Sequence, residues 1–196
     1  MKLRALLSSV IVVGIAMVIA VPAANAWSEY GGGEMNVVDD KGFRQGYWKI
    51  TAHMKKPGSP WMPTQIVEEG SYVDSKPEGV WITYHQNGNK ISEVTYRRGR
   101  REGITKYFDL QENLVSASTF ANGVREGTML TFYPDGKKWM EYTWSNGRIN
   151  GTMKTYYPSG QLYEEGIWTN GWFVSDYIIY NKDGSVKRVV LPPVTQ

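Results

Sequence analysis

The sequence contains no cysteine and only two histidines, His53 and His85. Without thiols, the chain can form no disulfide or thiolate metal site and can carry no lipidated cysteine. The two histidines lie far apart and in no catalytic motif, and His85, beside a turn, is expected to be solvated. No nucleophile elbow, phosphate loop or dinucleotide fingerprint occurs. We therefore predict a protein that is not an enzyme and that requires neither a cofactor nor a metal.

A long hydrophobic run occurs only once, at Ala5 to Val21. Lys2 and Arg4 precede it, and the small residues Ala24 and Ala26 suit a signal peptidase. We expect residues 1–26 to be a signal peptide cleaved between Ala26 and Trp27. The alternative is a retained anchor, because the run just reaches the length that spans a bilayer. The predicted location is the bacterial periplasm or the medium beyond it.

The chain also has no large excess of positive or negative charge once residues 1–26 are left out. Without Lys2 and Arg4, 20 of the 22 basic residues remain against 19 acidic ones. Nucleic-acid binding requires a basic face rather than near balance. The sequence therefore predicts no nucleic-acid partner.

Aromatic residues and glycines, in contrast, are abundant and recur every 24 residues. All 8 Trp, 13 Tyr and 5 Phe follow residue 26, which is not typical of a disordered chain. The strictest columns are Gly79, Gly103, Gly127, Gly151; Gly99, Gly123, Gly147, Gly171; Tyr84, Phe108, Phe132, Tyr156, Tyr180; and Tyr72, Tyr96, Phe120, Trp144, Trp168. Such self-similarity is the signature of a repeat architecture.

Each unit has the pattern of a β-hairpin. Turn sequences such as Pro134-Asp135-Gly136 lie between segments rich in Thr, Tyr, Trp and Phe, and pairs such as Asn146-Gly147 lead into the next unit. We predict an all-β fold, an elongated antiparallel meander of about ten strands in 24-residue repeats. Gly136 and Gly160 are expected to adopt left-handed conformations.

The repeats define the domain organisation. The repeat domain covers residues 42–190 in about six units, after a flexible lead-in at 27–41 and before a tail at 191–196. Gly46 and Gly79 are 33 residues apart rather than 24, so the first unit carries an insertion, which we place at 51–65.

The pattern Glu-Gly, aromatic, Asp/Asn-Gly, Glu, aromatic, Asn-Gly resembles the MORN-repeat variant of bacterial proteins. Representative stretches are Glu126 to Gly136 and Glu141 to Gly147. The repeats look especially like the YwqK-type antitoxin family. This resemblance implies MORN-like β-hairpins and a role in binding, since the same repeat serves as a scaffold, a membrane-proximal module and a toxin-neutralising partner.

A column of acidic residues recurs with the same period. Its members are Glu69, Glu93, Glu141 and Glu165, with Ala117 in the place of one glutamate. The glutamates either hold a basic partner or pair with neighbouring lysines such as Lys90 and Lys138, and we favour pairing.

The densest positive charge is Arg97, Arg98, Arg100 and Arg101, around one turn between units. This loop is either simply solvated or a contact for an acidic protein surface or anionic lipid headgroups.

Three further aromatic residues are candidate anchors. Trp61 lies in the insertion between prolines and is either a binding anchor or a cap over the sheet edge. Trp139 and Tyr163 share a repeat column and are expected to extend the same surface.

Two functions remain open. The first is recognition of another protein, such as a toxin or effector, in the manner of an immunity protein or antitoxin. The alternative is an envelope scaffold that contacts lipid, peptidoglycan or copies of itself.

Overall fold

The computed structural model describes residues 34–55 and 62–191. The predicted signal peptide, its cleavage site, Trp61 and the tail beyond Leu191 lie outside the described residues. Within these ranges the chain forms one sheet and one short helix, α1 (Ala52–Lys55). The all-β meander predicted from the repeats is confirmed.

Fourteen strands are present in the described ranges. They are β1 (Val37–Val38), β2 (Arg44–Thr51), β3 (Ile66–Val73), β4 (Lys76–Tyr84), β5 (Lys90–Arg97), β6 (Arg100–Phe108), β7 (Leu114–Ala121), β8 (Val124–Phe132), β9 (Lys138–Ser145), β10 (Arg148–Tyr156), β11 (Leu162–Thr169), β12 (Trp172–Phe173), β13 (Tyr177–Tyr180) and β14 (Val186–Val190). Successive strands pair antiparallel in chain order, except that β11 pairs with both β12 and β13.

The turns inside the units need a left-handed residue, and glycine supplies it. Gly136 has φ 81° and donates its N–H to the Tyr133 carbonyl at 2.9 Å. Gly160 has φ 94°, so both predicted left-handed glycines are confirmed. Glu112, in the place of the corresponding glycine, adopts the same conformation with φ 64°.

The turns between units are fastened by a glutamate one strand away. Glu102 accepts a 2.7 Å hydrogen bond from the N–H of Asn122, and Gly123 donates to the Arg101 carbonyl at 2.8 Å. We call this contact the turn clamp. It recurs where Glu78 accepts from the N–H of Arg98 and where Glu126 accepts from that of Asn146. Each clamp ties the first strand of a unit to the turn at its end.

The two sides of the sheet differ, because side chains alternate along each strand. One side carries the aromatic column that begins with Tyr72, and we call it the aromatic face. The other carries a row of glutamates and lysines, and we call it the charged face.

The buried hydrophobic cluster lies at the amino-terminal end of the aromatic face. Trp48 and Trp81 are buried there with Tyr72 packed against them, and the Tyr72 and Trp81 ring centroids lie 4.6 Å apart. Gly70 lies opposite Trp48, and a Cβ at Gly70 would approach the Trp81 ring to 2.5 Å. A glycine is therefore required at this position for the Trp81 ring to cover the strand.

The ends of the sheet differ from the sequence-based expectation. Fourteen strands form instead of about ten, because the irregular first and last units also pair. Residues of the predicted flexible lead-in take part: Val37 and Val38 form β1, and Asn36 accepts a 2.8 Å hydrogen bond from the N–H of Lys49. The insertion begins with α1, where the N–H of Ala52 donates to the Gln65 carbonyl at 2.8 Å.

His85 is also less solvated than expected. Its side chain is half-buried, and its Nε2 atom is buried without a hydrogen-bond partner among the described residues. The expectation of a freely solvated imidazole was wrong, because this nitrogen is shielded from water although His85 directly follows the end of β4.

Candidate functional site

Register places the glutamate column in one row across the charged face. Adjacent members of the row are cross-strand partners, and they are Lys49, Glu69, Ile82, Glu93, Lys106, Ala117, Leu130, Glu141, Lys154 and Glu165. Opposite charges therefore stand side by side, as in Glu93 and Lys106 at 3.3 Å or Lys154 and Glu165 at 3.7 Å. Such cross-strand pairs stabilise a sheet.

Lysines on the same strand complete the pairing. Lys90 contacts Glu93 at 2.9 Å and Lys138 contacts Glu141 at 2.8 Å, the two pairs that the sequence suggests. Burial alone would raise the pKa of Glu93, but the hydrogen bond from Lys90 and the charges of Lys90 and Lys106 outweigh it and lower the pKa below its usual value. The pKa of Glu141 is lowered in the same way, against burial, chiefly by Lys138.

Tyrosine hydroxyls bind the same carboxylates. Tyr156 donates to Glu141 at 3.2 Å and Tyr180 donates to Glu165 at 2.8 Å, and Tyr84 donates to Glu69. Burial, followed by the hydrogen bond to Glu69, raises the pKa of Tyr84. Because Glu93, Glu141 and Glu165 are half-buried and already paired, the structure places them in the framework of the sheet.

The arginines lie elsewhere, at the edge formed by the turns between units. Arg101 lies on the aromatic face of β6 with its Cζ 5.2 Å from the ring centroid of Phe120. Arg125, one repeat later, lies 5.8 Å from Phe120 and 5.1 Å from Trp144. Guanidinium groups stack on aromatic rings in this manner through cation–π attraction. The row across strands β6 to β9 therefore alternates arginine and aromatic ring.

These four side chains line an open groove of about 380 Å³, together with Gly123, Val124 and Gly147. We call it the arginine groove. Gly103 and Gly127 are the partners of Phe120 and Trp144 on the preceding strand and place no side chain beside either ring there. On the following strand the partners are Arg125 and Ile149. Val124 at the rim is 45% exposed and adds apolar surface.

The positive charge of the groove is not neutralised by a carboxylate. None of the seven ion pairs among the described residues includes an arginine. The acids next in sequence, Glu102 and Glu126, accept backbone N–H groups in the turn clamps. The groove is thus a cationic surface with an aromatic floor.

The predicted arginine cluster divides between this groove and the turn beside it. Arg97 and Arg100 are exposed cross-strand partners, and only Arg101 enters the groove. Arg98 has φ 51°, the conformation of Asn122 and the other asparagines in the equivalent turns.

Trp139 and Tyr163 lie at the opposite edge, where the turns inside the units are found. The Trp139 ring lies 6.0 Å from Tyr133 and the Tyr163 ring lies 4.9 Å from Tyr157. Trp139 is 43% exposed. Because the two edges are separated by the length of a strand, these residues do not extend the arginine groove. Trp61, with which the sequence groups them, lies outside the described residues.

Two residues of this surface were not predicted from the sequence. Arg125 repeats Arg101 after 24 residues, and each has an aromatic residue 19 positions later, so the spacing contains the signal. Trp172 is 76% exposed and follows Gly171 as Arg100 follows Gly99. It adds an apolar side chain to the same edge.

Other kinds of site have little support in the part of the chain that is described. No three His, Asp or Glu side chains come together there as a metal site. Nor does any helix within 34–55 or 62–191 have the length and apolarity to cross a bilayer.

Three segments of the chain, 77–98, 125–146 and 149–170, match the family model of the MORN repeat variant. The protein carries MORN-variant repeats. The arginine groove lies where the end of one such repeat meets its neighbours, between Arg101 of β6 and Trp144 of β9.

No curated protein matches the chain. Among solved structures, the crystal structure of a GtfA/B complex aligns over 73% of this chain and 24% of that chain, with 11% identity and a TM-score of 0.33. The GtfA/B complex bound to UDP and GlcNAc aligns over 85% of this chain and 30% of that chain, with 13% identity and a TM-score of 0.26. The chain spans less than a third of either, and likeness at this level carries no argument about function.

Proposed function

We propose that this protein is an exported, non-catalytic binding protein that recognises another protein through the arginine groove. The observation that carries the proposal is the pair Arg101 and Arg125, whose guanidiniums line an open surface without a carboxylate partner among the described residues. Arginine and aromatic side chains supply much of the binding energy at protein interfaces. The regular sheet below them loses little entropy when a partner binds.

The neighbouring turn adds support. Arg98 adopts a left-handed conformation that costs a side chain of this kind about 1 kcal/mol or more, whereas three equivalent turns use asparagine. Arg97 and Arg100 flank it and are exposed. Arg98 thus places a positive charge in a backbone conformation that disfavours its side chain. Strained backbone of this kind clusters at functional sites.

The partner class we propose is a toxin or effector, as for an immunity protein. Support comes from the resemblance to the YwqK-type antitoxins and from the predicted signal peptide, which would bring the protein to its partner in the envelope. Under this proposal the captured protein is harmful when produced alone and harmless when co-produced with this chain.

Capture from an envelope extract tests the proposal. The immobilised mature protein should retain a specific protein, and Arg101→Gln with Arg125→Gln should reduce the amount retained by about tenfold, the effect of losing roughly 1.4 kcal/mol. Lys187→Gln with Arg188→Gln on β14 removes the same charge far from the groove and should leave capture unchanged. Retention of lipid or of the chain's own copies alone would contradict the proposal and favour the envelope scaffold.

A further inference from the structure

We propose that the arginine groove binds carboxylate groups of an acidic segment on the partner protein, with an apolar side chain of that segment against Val124 and Trp144. This inference rests on the proposed function and specifies the chemistry of its partner. It follows from the charge, the shape and the surroundings of the groove.

The charge calls for an anion. Lysines of the charged face such as Lys106 and Lys154 pair with a glutamate. Arg101 and Arg125 stack on aromatic rings and have no ion pair with any residue in the described part of the chain. The planar guanidinium matches a carboxylate through two parallel hydrogen bonds. Stacking on Phe120 and Trp144 holds both guanidiniums in place, so less side-chain freedom is lost when such a pair forms.

The apolar residues of the groove indicate a ligand that has an apolar group as well as a negative charge. Trp144, which is half-buried, and Val124, which is 45% exposed, present apolar surface beside the two charges, whereas Phe120 between them is buried. An inorganic anion would leave this surface in contact with water. A segment with an apolar side chain next to its acidic residues would cover the surface and neutralise the charges together.

The two arginines can accommodate two acidic groups. Arg101 lies on β6 and Arg125 on β8, two strands apart, which corresponds to about 9.5 Å across a sheet. Both guanidiniums lie within 5.8 Å of the Phe120 ring centroid, and each carries its own N–H donors, so each can bind a carboxylate of its own. The groove is also open rather than enclosed, and its lining residues come from β6 to β9, so a segment that crosses these strands can enter it.

The surroundings favour a protein over a membrane surface. Glu78, Glu102 and Glu126 lie at the same edge as the arginines, so the edge has charges of both signs. A uniformly anionic bilayer would be repelled by these acids, whereas a protein surface can place its own charges to match.

Labelled peptides test the chemistry directly. A short peptide of glutamate and leucine should bind the mature protein, and the same peptide with glutamine in place of glutamate should bind at least about tenfold more weakly. Fluorescence anisotropy measures both. Binding of the glutamate peptide should weaken as salt is raised. Equal affinity for the two peptides would overturn the inference.

Matched variants locate the site. Arg101→Gln with Arg125→Gln should weaken binding of the glutamate peptide by at least about tenfold. Lys187→Gln with Arg188→Gln should change it by less than about twofold. An equal loss in both double variants would mean that the peptide senses only overall charge, and the inference would fail. Circular dichroism of each variant excludes unfolding as the cause.

Two further probes separate this inference from the proposed function. If phosphatidylglycerol vesicles or inorganic phosphate bind the groove and the glutamate peptide does not, the carboxylate inference is wrong. If the glutamate peptide does not bind but capture from the envelope extract is reduced by Arg101→Gln with Arg125→Gln, the inference is wrong while the proposed function stands. If capture is insensitive to these substitutions, the groove is not the recognition site and both are wrong. If the extract yields no protein, the proposed function itself is wrong.

Discussion

The hydroxyl of Tyr180 donates a 2.8 Å hydrogen bond to Glu165, which precedes it by 15 residues. Tyr84 and Glu69 repeat this contact, and so do Tyr156 and Glu141. Where Ala117 replaces the glutamate, the residue 15 positions later is Phe132, which has no hydroxyl. Donor and acceptor are therefore lost together, and neither is left buried without a partner.

This pairing predicts a favourable coupling between two substitutions. Ala117→Glu alone places a half-buried carboxylate beside Phe132, whereas Ala117→Glu with Phe132→Tyr restores the hydroxyl donor. We expect the double variant to be more stable than the sum of the two single changes by about 1 kcal/mol. Urea denaturation of the four proteins measures the coupling. Additive effects would show that the hydroxyl contributes nothing to the pair.

The lowered pKa values of Glu93 and Glu141 predict a loss of stability in acid. A carboxyl group whose pKa is lower in the folded chain stabilises the fold above its usual value of 4.5. That contribution disappears as pH falls from 4.5 through the folded-state pKa. We expect the free energy of unfolding to decrease over this interval, and Glu93→Gln to make the decrease smaller. Denaturant titrations at several pH values measure both.

Glu34→Gln is the control for this pH dependence. Glu34 is exposed and takes part in none of the seven ion pairs of the described residues. The pH profile of this variant should follow the wild type. A profile altered as much as that of Glu93→Gln would mean that the lysine pairs are not the source of the effect.

Gly136 and Gly70 are both expected to be sensitive to substitution, for different reasons. Gly136 has φ 81° and open space around its Cβ position, so Gly136→Ala should cost about 1–2 kcal/mol through the backbone alone. Gly70→Ala should cost about 2–3 kcal/mol, because its Cβ would overlap the buried Trp81 ring. Thermal or urea unfolding measures both losses.

Substitution by asparagine distinguishes backbone strain at Gly136 from steric overlap at Gly70. At Gly136 it should be tolerated better than alanine, because asparagine adopts left-handed conformations more readily. At Gly70 it should be worse than alanine, because it is larger. The same order of alanine and asparagine at both sites would contradict this assignment.

Arg98→Asn should stabilise the protein by about 0.5–1 kcal/mol. Arg98 has φ 51° in a turn whose equivalents contain Asn122, Asn146 and Asn170. The turn clamp from Glu78 binds the backbone N–H, so the substitution preserves it. A shift in the urea midpoint measures the gain, and Arg97→Asn in the adjacent strand, as control, should show none. A loss of stability on Arg98→Asn would mean that the arginine side chain makes a contact important to the fold.

The periodicity of the sequence is sufficient to predict the meander. Glycines such as Gly136 and Gly160 determine the local backbone, and local turns determine which strands are neighbours, so no long-range information is needed. The row that joins Glu93 and Lys106 is also accessible from the sequence, since the glutamate column and its lysines recur with the same period.

The arginine groove is not accessible in this way. Arg101 and Phe120 become neighbours because Gly103, two residues after Arg101, lies opposite Phe120 and has no side chain to separate them. The register of β6 also shifts between Arg101 and Thr105 in its pairing with β5. A contact across strands depends on the strand register and on the position of the bulge at Gly103. Neither can be determined from a single sequence. The four arginines from Arg97 to Arg101 therefore predict a site at the turn, whereas Arg125, which has no arginine next to it, is not predicted to belong to a site.

The turn clamp has a consequence for how such a chain can lengthen. Glu102 and Asn122 lie within one 24-residue period, so a tandem copy of that segment would bring its own clamp. Each copy would add two strands and extend the surface by about 9.5 Å. It would also insert another arginine next to an aromatic ring. Glu78, Glu102 and Glu126 supply the clamp glutamate, whereas the following unit has Asn150 at the equivalent position. Growth by duplication is therefore better suited to the part of the array that carries these glutamates.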